Sequence, residues 1–188
     1  MQTRAERTRR SLVRAAAELI ADGSPADAGL VNVCRRAGVS RGALYHHYSS
    51  LGELTAEVYG QARGRLVELM DEAFAGPAAD APERFLVALG GALRAETVVR
   101  AGVRLAADGS AGPPLLRDEL PALVRERVGR ARWEGEPPEP GTADLVLAVA
   151  AGIESLGYTD PRWWDRTTLQ RLSGLLRPLV APVEEGRC

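Results

Sequence analysis

Residues 40–48 read Ser-Arg-Gly-Ala-Leu-Tyr-His-His-Tyr and hold both histidines of the chain. On a helix, Leu44 and Tyr48 lie four apart and turn inward together, which leaves Arg41, Gly42, Tyr45 and His47 facing out. Arginine offers a planar fork that matches guanine, tyrosine can touch a phosphate or a thymine methyl, and glycine lets a backbone come close. His46 and His47 make a poor metal site, because adjacent helical side chains point about 100° apart and no third ligand stands nearby. They fit better as a DNA-facing pair acting by hydrogen bonding. Catalysis is a weak competitor. No histidine lies outside this segment, and there is no Cys-His pair and no Gly-rich loop with a lysine. A nucleophile with its base, a metal set and a phosphate loop are therefore all missing. No metal and no cofactor is expected.

A recognition segment needs elements to hold it. Leu12, Ala16, Leu19 and Ile20 mark one face of a first helix that Gly23 and Pro25 end. A second helix is expected over Leu30–Ala37, burying Leu30, Val33 and Cys34, with Gly38 as its left-handed stop. Ser40 then caps a third helix from Arg41 to Tyr48, and Val39 plugs the angle between the two, which makes a helix-turn-helix. Ser50 and Glu53 form a capping box that opens a fourth helix, carrying Leu54, Val58, Leu66, Leu69 and Met70 as far as Gly76-Pro77. Further helices carry Leu86, Leu89 and Leu93, then Val99, Val103 and Leu105, then Leu116 to Ala131 with Pro121 near the start or at a kink. Residues 142–157 are apolar nearly all round. The last helix begins near Trp163-Trp164 and runs to 181 with leucines three and four apart. The chain is read as all-α with about nine helices: a helix-turn-helix domain over 1–48 and a helical-bundle body over 49–188.

Charge divides the chain at the same place. Residues 1–48 hold eight arginines against four acids, a balance of +4; residues 49–188 hold sixteen against twenty-one, a balance of −5. A basic head on an acidic body suits a protein whose head alone touches a polyanion. All 24 basic residues are arginine. No run of about 18 apolar residues exists to span a membrane, and the charged N-terminus lacks a secretion signal, so a cytoplasmic protein is expected. Cys34 is read as a small core residue, and Cys188 ends the chain.

The run Val33-Cys-Arg-Arg-Ala-Gly-Val-Ser-Arg-Gly-Ala-Leu-Tyr-His-His-Tyr48, followed by Leu54, resembles the DNA-binding signature of TetR-family repressors over roughly residues 8–58. The resemblance implies that the third helix enters the major groove of a double-stranded operator. The DNA-binding set is then Ser40, Arg41, Gly42, Ala43, Tyr45, His46 and His47, helped by Arg4, Arg7, Arg10 and, for phosphate affinity, Arg9. The family's lysine after the serine that opens the fourth helix is Leu51 here. The usual Ser or Thr caps of the second helix are Ala28 and Gly29, with Asp27 as a substitute.

The segments ELTAEVY, VVRAGVRLAADG and GIESLGYTD are further similar to γ-butyrolactone receptors, which control secondary metabolism. That similarity implies a small hydrophobic effector held by Leu66, Met70, Leu86, Leu89, Leu93, Val103 and Leu123, with Leu105 nearby, and Gly90-Gly91 leaving room for it. It also implies a homodimer through Val146, Ala150, Ile153, Leu172, Leu176 and Leu179. Trp163 and Trp164 are packing or interface residues. Two-fold symmetry then sets half-sites about 34 Å apart, or a multiple of that, on a palindrome. Those receptors carry a Trp against the ligand where Asp118–Val124 has none, which leaves open a relative that senses another ligand or none.

Overall fold

The computed structural model describes residues 3–23, 25–108, 115–131, 133, 138 and 140–180. Among them are nine α-helices and no strand: α1 (Arg4–Asp22), α2 (Leu30–Ala37), α3 (Arg41–His47), α4 (Leu51–Phe74), α5 (Ala81–Ala95), α6 (Thr97–Asp108), α7 (Leu115–Arg130), α8 (Thr142–Gly157) and α9 (Arg166–Val180). No helix among the described residues is long and apolar enough to cross a membrane. The backbone gathers into two compact units, Met1–Arg65 with Glu96–Arg117, and Leu66–Ala95 with Asp118–Cys188.

The first unit is built around α1. Thr3 caps it: its Oγ1 accepts from the Glu6 amide at 3.2 Å while Glu6 Oε2 accepts from the Thr3 amide at 2.9 Å. This reciprocal box satisfies two amides that the first turn would leave orphaned. Leu12, Ala16 and Ile20 recur at helical spacing and are fully buried with Val33 of α2, Leu44 of α3 and Ala101 of α6. Each such leucine or isoleucine contributes about 1.5–3 kcal/mol by leaving water. α6 covers α1 more extensively than any other helix does. Two features bring α6 in. Its Arg104 donates to the carbonyls of Ile20 and Gly23, closing the C-terminal end of α1. Its Gly102 lies so close to Ala62 of α4 that a Cβ there would collide.

Helix α2 ends as its sequence requires: Gly38 takes φ 66°, and its amide and that of Val39 return to carbonyls of the last turn. Its other end departs from expectation. Gly29 is the N-cap and supplies no side-chain bond; Asp27 sits in a 3-10 turn, Pro25–Ala28, where its carbonyl accepts from Asn32 Nδ2 at 3.0 Å. The box at the start of α4 is also displaced. Ser50 Oγ accepts from the Glu53 amide, but Glu53 Oε2 accepts from the amide and hydroxyl of Ser49 at 2.6 and 2.8 Å.

In the second unit α5 packs on α8 and α9. Gly90 of α5 is buried, and Leu169 Cδ1 of α9 occupies the space its missing side chain leaves. Gly90 makes room for α9 rather than for a ligand. Pro161 and Asp160 start a 3-10 turn through Trp164, so α9 begins at Arg166, after the tryptophan pair. The Trp164 ring fills the space beside Gly157, and its Nε1 donates to the Ile153 carbonyl at 3.1 Å. Pro121 lies inside α7, in its second turn.

Candidate nucleic-acid interface

Helix α3 has only seven residues, too few to be stable alone, so its neighbours must hold it. Ser40 caps its start, Oγ accepting from the Ala43 amide at 3.1 Å, and the hydroxyl hydrogen is left to donate outward. Leu44 is fully buried and Tyr48, the C-cap, is 2% exposed; between them they pin one face. Arg41, Gly42, Tyr45 and His46 stand exposed on the other, with Ala43 and His47 half-buried. The two histidine rings meet edge to face, 5.3 Å between centroids.

The expected arginines divide between two faces of α1. Arg4, Ala5 and Thr8 join Gly38, Val39, Ser40, Ala43, His46 and His47 along one open groove of about 580 Å³. Arg7 and Arg10 open instead on a second groove of about 740 Å³, shared with Arg14 and with Gln61, Thr97 and Val98. Only Arg4 of the three thus borders the recognition helix directly. Arg4, Arg7, Arg10, Arg14 and Arg41 have no acidic partner among the described residues, so their charge is unspent. Arg36 pairs with Glu18 at 3.4 Å.

Arg9 is differently placed. Its Nε and Nη2 donate to Glu57 Oε2 at 3.1 and 2.8 Å, and Nε also reaches the Tyr48 hydroxyl at 3.3 Å. The Tyr48 hydroxyl in turn donates to the same Glu57 oxygen at 2.6 Å. Burial first, and the Glu57 bond second, push the Tyr48 hydroxyl up to about 12. Tyr48 and then Glu57 raise the Arg9 guanidinium above its ordinary value. Arg9 is a partner of the fold, and no residue spacing along the chain announced this contact across α1, α3 and α4. Glu53 is held below the usual carboxylate range, chiefly by the Ser49 amide. Leu51, at the lysine position, is half-buried against the core of the first unit.

The residues expected to wall an effector site are interior ones. Leu66, Met70, Leu86, Leu89 and Leu93 are at most 7% exposed, and Leu123 is half-buried. Val103 belongs to the first unit, and Leu105 packs into its core. A cavity of about 20 Å³ in the second unit is bounded by Asp80, Leu86, Val146, Ser173, Leu176 and Arg177 among others, and of the expected walls it touches only Leu86. That is room for about one water.

Of the expected interface residues, Val146 and Ile153 are 2% and 1% exposed within a single chain and have no surface to offer a second copy. Ala150, Leu172 and Leu176 are half-buried, and Leu179 is 59% exposed. Leu156 and Leu175, which the pattern of threes and fours did not single out, are exposed beside them.

Comparison with known proteins agrees with this arrangement. Residues 12–58 match the family model for bacterial regulatory proteins of the tetR family. The chain is 32% identical over 165 residues to the A-factor receptor protein of Streptomyces griseus, an alignment covering 85% of this chain. This chain spans 58% of that relative's length. A gamma-butyrolactone receptor, described as ArpA-like, has the same fold with a TM-score of 0.76 at 22% identity, over 96% of this chain and 92% of the other. The TetR family protein CprB from S. coelicolor A3(2) gives 0.71 at 24% identity, over 97% and 92%. Residues 12–58 thus carry a helix-turn-helix that matches the tetR family of bacterial regulatory proteins, on an all-helical body that shares the fold of the receptor structures.

Proposed function

We propose that the chain is a homodimeric, cytoplasmic transcriptional repressor that binds a palindromic operator through residues 1–48. Residues 49–188 dimerise and sense a small hydrophobic signal of γ-butyrolactone or furan kind, and release controls secondary metabolism or antibiotic production. The observation that carries the reading is the outward face of α3. Arg41, Gly42, Tyr45 and His46 are exposed there, beside a groove edged by Arg4, which has no acidic partner among the described residues. Such a surface supplies base-reading groups next to phosphate-binding charge. The identity to the A-factor receptor protein supports the kind of signal. The dimer would use Leu156, Leu175 and Leu179, the large exposed hydrophobic residues of α8 and α9.

One observation favours a second reading, a regulator that senses an unrelated ligand or none. The gap at Gly90 is filled by Leu169, and Asp118–Val124 has no tryptophan. A single experiment separates the two. A duplex is selected from a random pool with the purified protein, and its binding is followed by fluorescence anisotropy. A palindromic consensus supports the repressor; release by synthetic γ-butyrolactones supports the receptor. Binding that no butyrolactone or furan reverses supports the second reading, and no sequence preference refutes both.

A further inference from the structure

Glu57 is not among the residues that face the recognition groove, yet it receives more of the head's polar contacts than any cap does. Its Oε2 takes the Tyr48 hydroxyl at 2.6 Å and two nitrogens of Arg9 at 2.8 and 3.1 Å. Its Oε1 takes Gln61 Nε2 at 3.2 Å. Tyr48 is the residue at which α3 ends, its backbone already extended at φ −138° and ψ 127°. One carboxylate thus ties the last residue of the recognition helix to α1 and α4. Hydrogen bonds to an ionised acceptor are short and stronger than neutral ones, and the 2.6 Å contact is of that kind. The Arg9 guanidinium also lies 5.9 Å from the centre of the Tyr48 ring, at the outer edge of cation–π range.

Two consequences follow for a seven-residue helix. Its N-terminal end is set by the Ser40 cap, its middle by Leu44 and its C-terminal end by Tyr48. A ring packed without its hydroxyl bond can rock, and the tilt of α3 is what places Arg41 and Tyr45 against base edges. The same carboxylate neutralises Arg9, so the head holds one phosphate-binding cation fewer than its arginine-rich N-terminus suggests.

We propose that Glu57 is a positioning residue for DNA recognition: through Tyr48 it sets the tilt of α3, and by pairing with Arg9 it withholds that arginine from the DNA backbone. The proposal rests on the DNA-binding reading above.

The test uses the full chain and the selected duplex, beside a random-sequence duplex, across a range of salt, with melting temperature measured in parallel. Tyr48→Phe should lower the operator-to-random affinity ratio about fivefold, the worth of one hydrogen bond of about 1 kcal/mol, and leave the salt slope unchanged. Arg9→Ala should leave the slope unchanged too. Glu57→Gln should lower the ratio and steepen the slope by about 0.9, as one more arginine reaches a phosphate. A flatter slope in Arg9→Ala, by about one counterion, would make Arg9 a phosphate contact and overturn the proposal. So would an unchanged ratio in Tyr48→Phe. Should Glu57→Gln fail to fold, the other two variants decide the matter. A wild-type ratio of one removes the DNA-binding reading itself; wild-type discrimination with contrary variants removes only the role of Glu57.

Discussion

Leu169 Cδ1 of α9 occupies the position that a Cβ on Gly90 of α5 would take. The two helices therefore meet backbone against side chain. Gly90→Ala should destabilise by about 1–3 kcal/mol through overpacking, more than the helix propensity of alanine returns. Gly91, next in the chain, faces open space, and Gly91→Ala should stabilise by about 0.5–1 kcal/mol. Urea unfolding of both variants checks the pair. Gly90→Ala combined with Leu169→Ala should cost less than the two separate losses together.

Arg41 is exposed on α3 without an acidic partner among the described residues. If it reads a guanine, Arg41→Ala should weaken operator binding by about 1–3 kcal/mol and relax the preference at one position. Equal losses on operator and random duplexes would mark it as a phosphate contact instead. Competition binding with single-base variants of the site distinguishes the two.

Leu51 is the first residue of α4 and packs half-buried on the core of the first unit. Leu51→Lys should strengthen binding to any duplex and steepen the salt dependence by about one counterion. It should also lower the melting temperature slightly, since it gives up apolar contact and sets a cation at a helix N-terminus. An unchanged slope would show that this position does not approach DNA.

Leu175 and Leu179 are 73% and 59% exposed on α9. Replacing either by Glu should dissociate the proposed dimer and leave the fold intact, as read by sedimentation velocity and circular dichroism. Val146→Ala and Ile153→Ala should instead lower stability by about 0.5–4 kcal/mol without changing the oligomeric state, because both side chains are already interior.

The Tyr48 hydroxyl is pushed up from 10.0 to about 12, by burial first and the Glu57 bond next. The folded state thus holds this proton more tightly than the unfolded chain. Its contribution is complete below the unfolded value and is lost as pH rises through the folded one. Wild-type stability should therefore fall more steeply between about pH 10 and 12 than that of Tyr48→Phe. Parallel slopes in urea midpoints across that window would contradict it.

What was legible in the residues was whatever a local rule decides. Leu30–Ala37 and 142–157 match α2 and α8 because Gly38 must turn left-handed and a Pro-Gly break precedes Thr142. The inward face of Leu44 and Tyr48 follows from helical period alone. The Thr3–Glu6 box is equally legible in its T-x-x-E spacing. Other features depend on partners distant in the chain. Arg9 meets Tyr48 and Glu57 from 39 and 48 residues away, and Gly90 meets Leu169 from the far end of the second unit. The Glu53 carboxylate takes the Ser49 amide while the Glu53 amide keeps Ser50 Oγ, a one-residue offset that only backbone direction sets. Burial of Val146 and Ile153 is not legible in the residues, because an apolar helix has the same pattern whether it faces its own chain or another's.

The covering of α1 by α6 also has a consequence for how the protein is made. A nascent chain that has emerged only through α4 already contains its whole recognition segment, yet Ile20 and Leu12 still lack Ala101 and Leu105. Synthesis must proceed past Leu105 before that apolar surface is sealed. Until then the growing chain presents an exposed greasy face beside a cluster of arginines, and chaperone capture would occur in that interval. A gene truncated after α4 should accordingly yield aggregates rather than a small DNA-binding fragment.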